Sequence, residues 1–312
     1  VQAPARAVVH AGTKPAFARA LARLECDAQL ERSSEPPLQF EEEKMKSTNR
    51  PGPASGFTAA VTAGLLTLAI PFADARAEEK VSPDALRILQ AMSSYMTALK
   101  GFTVDFRVES EVVDSSGQKL EFNSAGEVAV QRPNRLYSRR KGAATDGEMY
   151  FDGKTVTLLG RTLNGYAQIP GPTTIEQALE SVRSLTDLDL PAADLLYPDP
   201  ATGLLTDVQG GVHLGRDDID GVPCDHLAFR ANKVDWQIWV RTGDTPVPLK
   251  YVITSKWITG APQYSLHLVN WNLQPKPDAR RFEFVPPKGA KQHPPESVKV
   301  NELGEVSEME AR

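Results

Sequence analysis

Cysteine is nearly missing from these 312 residues: the chain has Cys26 and Cys224 and no other. If the first 77 residues are removed, Cys224 stands alone. No intramolecular disulfide can then form, even in an oxidising compartment. The expected role of Cys224 is that of a small buried hydrophobe, against a redox or intermolecular role. Positive charge is also short, with 35 Lys+Arg against 40 Asp+Glu and a formal net charge of −5. The part after Ala77 is no less acidic, which excludes a nucleic-acid partner, since phosphate binding needs a positive footprint. There is no βαβ alternation and no internal repeat. One long apolar run exists, Phe57 to Phe72, and it carries no charge.

That run has a leader's grammar. Met45, Lys46 and Arg50 make a basic start, 57–72 the apolar stretch, and Ala73-Asp74-Ala75-Arg76-Ala77 offers small residues at A-x-A spacing before Glu78. The reading is a signal peptide over 45–77, cleaved after Ala77, with export to the periplasm. Residues 1–44 read as a non-native, disordered upstream extension, with Met45 as the true start. The competing reading is a membrane anchor at 57–72, but the run is shorter than the ~20 residues a spanning helix needs. No cysteine follows it, so there is no lipid attachment site. Removal of the leader leaves roughly 235 residues, enough for one large β domain.

The domain, placed at 78–290, opens on a helix. Ser82 suits the N-cap and Pro83 the first helical position, with Ala85, Leu89, Met92, Met96 and Leu99 on one stripe up to Gly101. A period of two follows. Phe102, Val104, Phe106, Val108 and Val112 share one face. The next strand puts Leu120, Phe122, Val128 and Val130 inward. Short strands are expected at 135–141, 149–151 and 155–159, with Asp152-Gly153 as a two-residue hairpin turn. Thr173-Thr174-Ile175-Glu176 fits a capping box for a helix with Ala178, Leu179, Val182 and Leu185 on its stripe. Pro191 opens a shorter helix that Pro198 and Pro200 break. Strands resume at 212–216, 225–231, 234–241, 249–258 and 264–273. Turns fall at Asp220-Gly221 and Asn232-Lys233. Phe282 to Val285 is a last apolar patch, and the tail from about Lys288, including 291–312, is expected to be acidic and mobile. The fold class is therefore mainly β with helices (α+β): a curved antiparallel sheet, or half-open barrel, wrapped around helices or a cavity.

Several segments resemble a family of predicted periplasmic proteins whose fold is similar to that of the lipoprotein carriers LolA and LolB. They are Arg132-Pro133, Tyr150-Phe151-Asp152-Gly153-Lys154, Pro191 to Leu196, Asp220 to Leu227, Asp235-Trp236-Gln237-Ile238-Trp239, Pro262-Gln263-Tyr264, Trp271, and Phe282 to Pro287. They run from about Ser82 to Ala290. The resemblance implies a LolA-like half barrel whose concave face, covered by helices, holds acyl chains. It implies no enzymatic activity. A related carrier-like fold serves RseB as a monitor of envelope stress, which gives an alternative: a sensor or interaction module with an envelope protein partner.

Other constellations have plainer readings beside the chemical ones. Cys224 and His226 share a strand face and could supply two metal ligands, but zinc wants three or four. His213, His267 and His293 supply no partner motif. A Cys-His hydrolase lacks an orienting residue and an oxyanion loop. Asp217-Asp218-Ile219-Asp220-Gly221 lacks a calcium loop's alternating oxygens. No cofactor and no metal are expected. Arg139-Arg140-Lys141 reads as a solvated sheet edge, or else as a peripheral contact with lipid headgroups. Trp236, Trp239, Trp257 and Trp271 sit on late strands, either as core or as pocket wall. The expected function is non-catalytic binding of a lipid, a lipoprotein acyl chain or another apolar ligand. The expected ligand-binding residues are Val104, Phe106, Val108, Leu120, Phe122, Trp236, Ile238, Leu266 and Leu268.

Overall fold

The structure, a computed structural model, describes residues 81–300 and 306–308, apart from 187–189, 191 and 277. The upstream extension and the leader lie outside the described residues, as does Pro191.

Helix α1 (Pro83–Ala98) starts where capping chemistry places it. Ser82 Oγ accepts the Ala85 N–H at 3.3 Å, and Pro83 supplies a preset first φ. Its stripe of Ala85, Ile88, Leu89, Met92 and Met96 is buried. The strands follow: β1 (Gly101–Val113), β2 (Lys119–Gln131), β3 (Arg135–Gly142), β4 (Thr145–Phe151), β5 (Thr155–Gly160) and β6 (Gly165–Pro170). Helix α2 (Ile175–Thr186), a 3-10 turn (Ala193–Leu196) and the short α3 (Pro200–Leu204) interrupt them. Then come β7 (Val208–Ile219), β8 (Val222–Ala231), β9 (Val234–Arg241), β10 (Pro248–Ser255) and β11 (Gln263–Asn272).

These strands and β12 (Lys291–His293) form a 12-stranded sheet in the order β12-β6-β5-β4-β3-β2-β1-β11-β10-β9-β8-β7. Among the described ladders of this sheet, β12–β6 alone is parallel. No ladder joins β12 to β7 among the described residues, so the sheet is open. β1 lies mid-sheet between its hairpin partner β2 and the distant β11, pairing Phe106 with Gly126 on one side and Leu268 on the other. The helices cover one face, called inner below. On β1 the alternation holds: Phe102, Val104, Phe106 and Val108 are buried, while Asp105, Arg107 and Glu109 face water.

Five local expectations change. Leu120, expected inward, is 37% exposed, because it pairs with Val112 at the far end of the β1–β2 hairpin; Phe122 is half-buried there. The β4–β5 turn centres on Gly153-Lys154, one residue later than expected. Gly153 takes the positive φ of 94°, and the Asp152 carboxylate accepts the Lys154 and Thr155 N–H groups at 2.9 Å. The capping box closes through Gln177, not Glu176. Thr174 Oγ accepts the Gln177 N–H at 3.2 Å and Gln177 Oε1 accepts the Thr173 N–H at 2.9 Å. Pro200 starts a helix instead of ending one, because Asp199 caps it: its carboxylate accepts the Thr202 N–H and hydroxyl, at 3.2 and 2.6 Å. Finally, residues 291–300 of the expected mobile tail carry structure.

That last segment is a strap around the β6 edge. On the outer face Phe282 is buried against Ala129, Tyr137 and Tyr150, and Phe284 meets Tyr150 and Tyr166 at 5.4 and 4.8 Å. β12 then pairs along β6. Beyond it, β13 (Val298–Val300) pairs with β14 (Val306–Glu308). Val298 is buried against Ala167, which alternation puts on the opposite face from Tyr166. The chain has crossed from outer face to inner.

Among the described residues no helix is long and apolar enough to cross a membrane.

Candidate functional site

The inner face divides in two. Helix α1 contacts β7 and β9, and there the core is filled. Trp236 is buried and stacks on Phe229 with centroids 4.0 Å apart, and Tyr251 meets it edge-on at 5.9 Å. Leu227 and Ile238 have no exposed surface.

Over β1, β2, β3, β4 and β11 the covering elements leave a void. A cavity of about 230 Å³ lies between the sheet and the helical cover. Val104, Phe106, Val128, Leu136, Leu266 and Leu268 form its sheet wall. Met96 of α1, Leu179 of α2 and Leu190, Ala192, Ala193, Leu195 and Leu196 form its roof, and Val300 of the strap closes one side. Phe106 reaches its place because β2 carries Gly126 opposite it. A Cβ there would fall 1.8 Å from the Arg139 carbonyl oxygen and 2.6 Å from Phe106 Cζ. Trp271 is anchored at the rim by its indole N–H, which donates to the Pro248 carbonyl at 3.1 Å.

Of the nine residues expected to bind ligand, four line this cavity: Val104, Phe106, Leu266 and Leu268. Val108 is buried further along β1. Leu120 and Phe122 lie near the end of their hairpin. Trp236 and Ile238 sit in the filled half, where α1 leaves no room. Alternation ranks all nine alike, because it reports the face of a strand and not what stands opposite. Met96, Leu179, Leu190, Leu195, Leu196 and Val300 were missed as wall residues. Their stripes mark burial but do not say against what.

Arg139-Arg140-Lys141 does not form one patch, because a strand sends alternate residues to opposite faces. Arg139 and Lys141 pair outward with Asp146, at 3.9 and 4.0 Å. Arg139 also lies 3.6 Å from Glu148. Glu148 is buried on that outer face, where it accepts from Arg161 Nε at 2.6 Å and from the Tyr150 hydroxyl. This raises the Arg161 pKa above its ordinary value. Burial first, and then the bond to Glu148, push the Tyr150 phenol up. Arg140 turns inward and lines the cavity.

The Cys224-Asp225-His226 segment is spread over two environments. Cys224 is fully buried, and burial reinforced by Asp217, Asp218 and Asp225 pushes its thiol up to about 11. A thiol in that range is a poor nucleophile near neutrality. His226 stacks on Trp239 at 4.0 Å and bonds Gln237 Oε1 at 2.9 Å. Asp225 lies 3.2 Å from His213 and 3.0 Å from Arg216. Trp239, on the outer face as alternation requires, donates to Asp217 at 2.8 Å. No group of three or more metal-ligating side chains occurs among the described residues.

Comparison with curated proteins gives no match. Among solved structures the chain is similar to an uncharacterised conserved protein from Thermus thermophilus, with 11% identity, 68% of this chain and 99% of that one covered, and a TM-score of 0.42. It is also similar to LprF from Mycobacterium bovis (16%, 64% and 99%, 0.38) and to a LolA superfamily protein from Nitrosomonas europaea (11%, 64% and 97%, 0.34). The family of predicted periplasmic proteins designated DUF2092 matches residues 85–293. That match takes in α1 from Ala85 onward, the whole main sheet and most of the cavity wall, and the chain belongs to this family.

Proposed function

We propose that this protein is a non-catalytic periplasmic binding protein that holds a hydrocarbon chain between its sheet and its helices. The observation that carries the reading is the 230 Å³ cavity with aliphatic and aromatic walls. A void of ~150 Å³ lined by such groups stays dry and takes a benzene ring. By the same scale this one takes roughly nine carbons. At ~0.8 kcal/mol per buried CH₂, that is about 7 kcal/mol before the cost of immobilising the chain. Binding of a lipid or a lipoprotein acyl chain therefore needs no reaction and no cofactor. The leader over 45–77, cleaved after Ala77, brings the domain to the compartment that the family's description names.

Two measurements test this. Native mass spectrometry of the secreted protein should show co-purified lipid, or the emptied protein should take up a fluorescent fatty acid stoichiometrically. Protein that arrives bare and takes up nothing overturns the reading. N-terminal sequencing of the secreted form should begin at Glu78.

A further inference from the structure

We infer that the cavity's ligand is a single-chain amphiphile with an oxyanion head, and that Arg140 receives that head. This rests on the cavity being a hydrocarbon site, and it adds a charge requirement that the walls alone do not supply.

On β3 the side chains of Leu136, Ser138 and Arg140 point inward, and all three line the cavity. Arg140 pairs across to Gly126 on β2 and to Gly147 on β4, and Gly147 pairs on to Gly160. The arginine thus stands in a lane without side chains, at the edge of an apolar chamber. Glu148 also borders the chamber, but it is on the opposite parity and its carboxylate is committed to Arg161 and Arg139 on the outer face. Arg140 is the charged side chain that the cavity sees.

Its own partner is neutral. Arg140 Nε donates to Ser124 Oγ at 2.7 Å, and among the described residues no carboxylate pairs with the guanidinium. Both terminal nitrogens remain for a ligand, in the planar fork that suits a carboxylate or a phosphate. Two hydroxyl-bearing residues, Ser138 and Tyr264, share the lining. Burial keeps the Tyr264 phenol protonated, with Arg140 pulling modestly the other way. An amphiphile would lay its tail against Phe106, Leu266 and Leu268 and bring its head to Arg140, so that neither end is left unsatisfied.

The test is a displacement titration of a bound fluorescent fatty acid at pH 8 with decanoate, decyl phosphate and decanol. Wild-type protein should prefer an anionic head over decanol by about 10- to 100-fold, the worth of a charge-assisted pair. A gain for either anion upholds the proposal, and the larger gain names the head. Arg140→Gln should bring the anions down to the affinity that the same variant shows for decanol, whereas Arg140→Lys should keep part of the preference. Equal binding of decanol and both anions by the wild type overturns this inference and leaves the hydrocarbon site standing. Displacement by none of the three also overturns it, and a fluorescent fatty acid that itself fails to bind overturns both.

Discussion

The two halves of the inner face are built from the same kind of strand and end up differently. Under α1, β7 to β9 meet a long helix whose stripe is continuous, and large rings fill what remains: Trp236 on Phe229, with Tyr251 at the edge. Over β1 to β4 the cover is pieced together from the end of α1, one side of α2, a 3-10 turn and a strap. Separate elements do not present side chains at one fixed spacing, so they fill a broad sheet less completely than one continuous helix. The comparison teaches that the void follows from the kind of cover and not from any shortage of apolar residues on the strands.

Like-for-like truncations should expose the difference. Leu227→Ala, in the filled half, should cost about 4 kcal/mol in urea unfolding. Leu268→Ala, at the cavity wall, should cost about 2 kcal/mol, because that side chain already lacks neighbours on one side. Equal losses would break the distinction.

Enlargement sharpens it from the other direction. Val240→Phe, where the core is closed, should destabilise by about 1–3 kcal/mol through overpacking. Val128→Phe points into the void and should leave stability within about 1 kcal/mol of wild type, while lowering uptake of a fluorescent fatty acid. If Val128→Phe is as damaging as Val240→Phe, the chamber is not free space.

The smallest effect concerns how the cover is held. The Asp199 carboxylate caps α3 and accepts from Ser93 Oγ of α1 at 3.3 Å. Its bonds to Thr202 hold its pKa below the usual aspartate value. A carboxyl depressed on folding stabilises the protein above its unfolded pKa of ~3.9, and this contribution is lost as pH falls through the lower folded value. Asp199→Ala should therefore cost about 1 kcal/mol at pH 6. The gap between variant and wild type should narrow as urea midpoints are followed below the unfolded aspartate pKa.

Much of the scaffold was legible in the residues. Ser82-Pro83 fixed the start of α1, and β1 alternates so strictly that its buried face could be named without coordinates. β6 escaped because two of its three inward positions, Gly165 and Ala167, are small, and Ile169 alone gives little hydropathy contrast. The Pro200 helix escaped because a proline marks a start as well as a stop, and only the Asp199 cap decides between them. The strap escaped because its polar residues, such as Gln292, mask two valines that matter, Val298 and Val300. At the site, strand parity correctly sent Trp239 and Trp236 to opposite faces, but it could not foresee that Trp236 lies beneath α1. The same parity divides Arg139-Arg140-Lys141 between the two faces.

The position of β1 has a kinetic consequence. Its neighbours are β2, a few residues away, and β11, which pairs Ser110 with Tyr264 and Phe106 with Leu268. The middle of the sheet is thus sealed by segments some 150 residues apart in sequence, and such contacts form slowly. Until β11 arrives, β1 offers an unpaired apolar edge. Refolding should show a late phase in which Trp271 fluorescence changes together with protection of the β1 amides, and chains that stop short of Gln263 should aggregate.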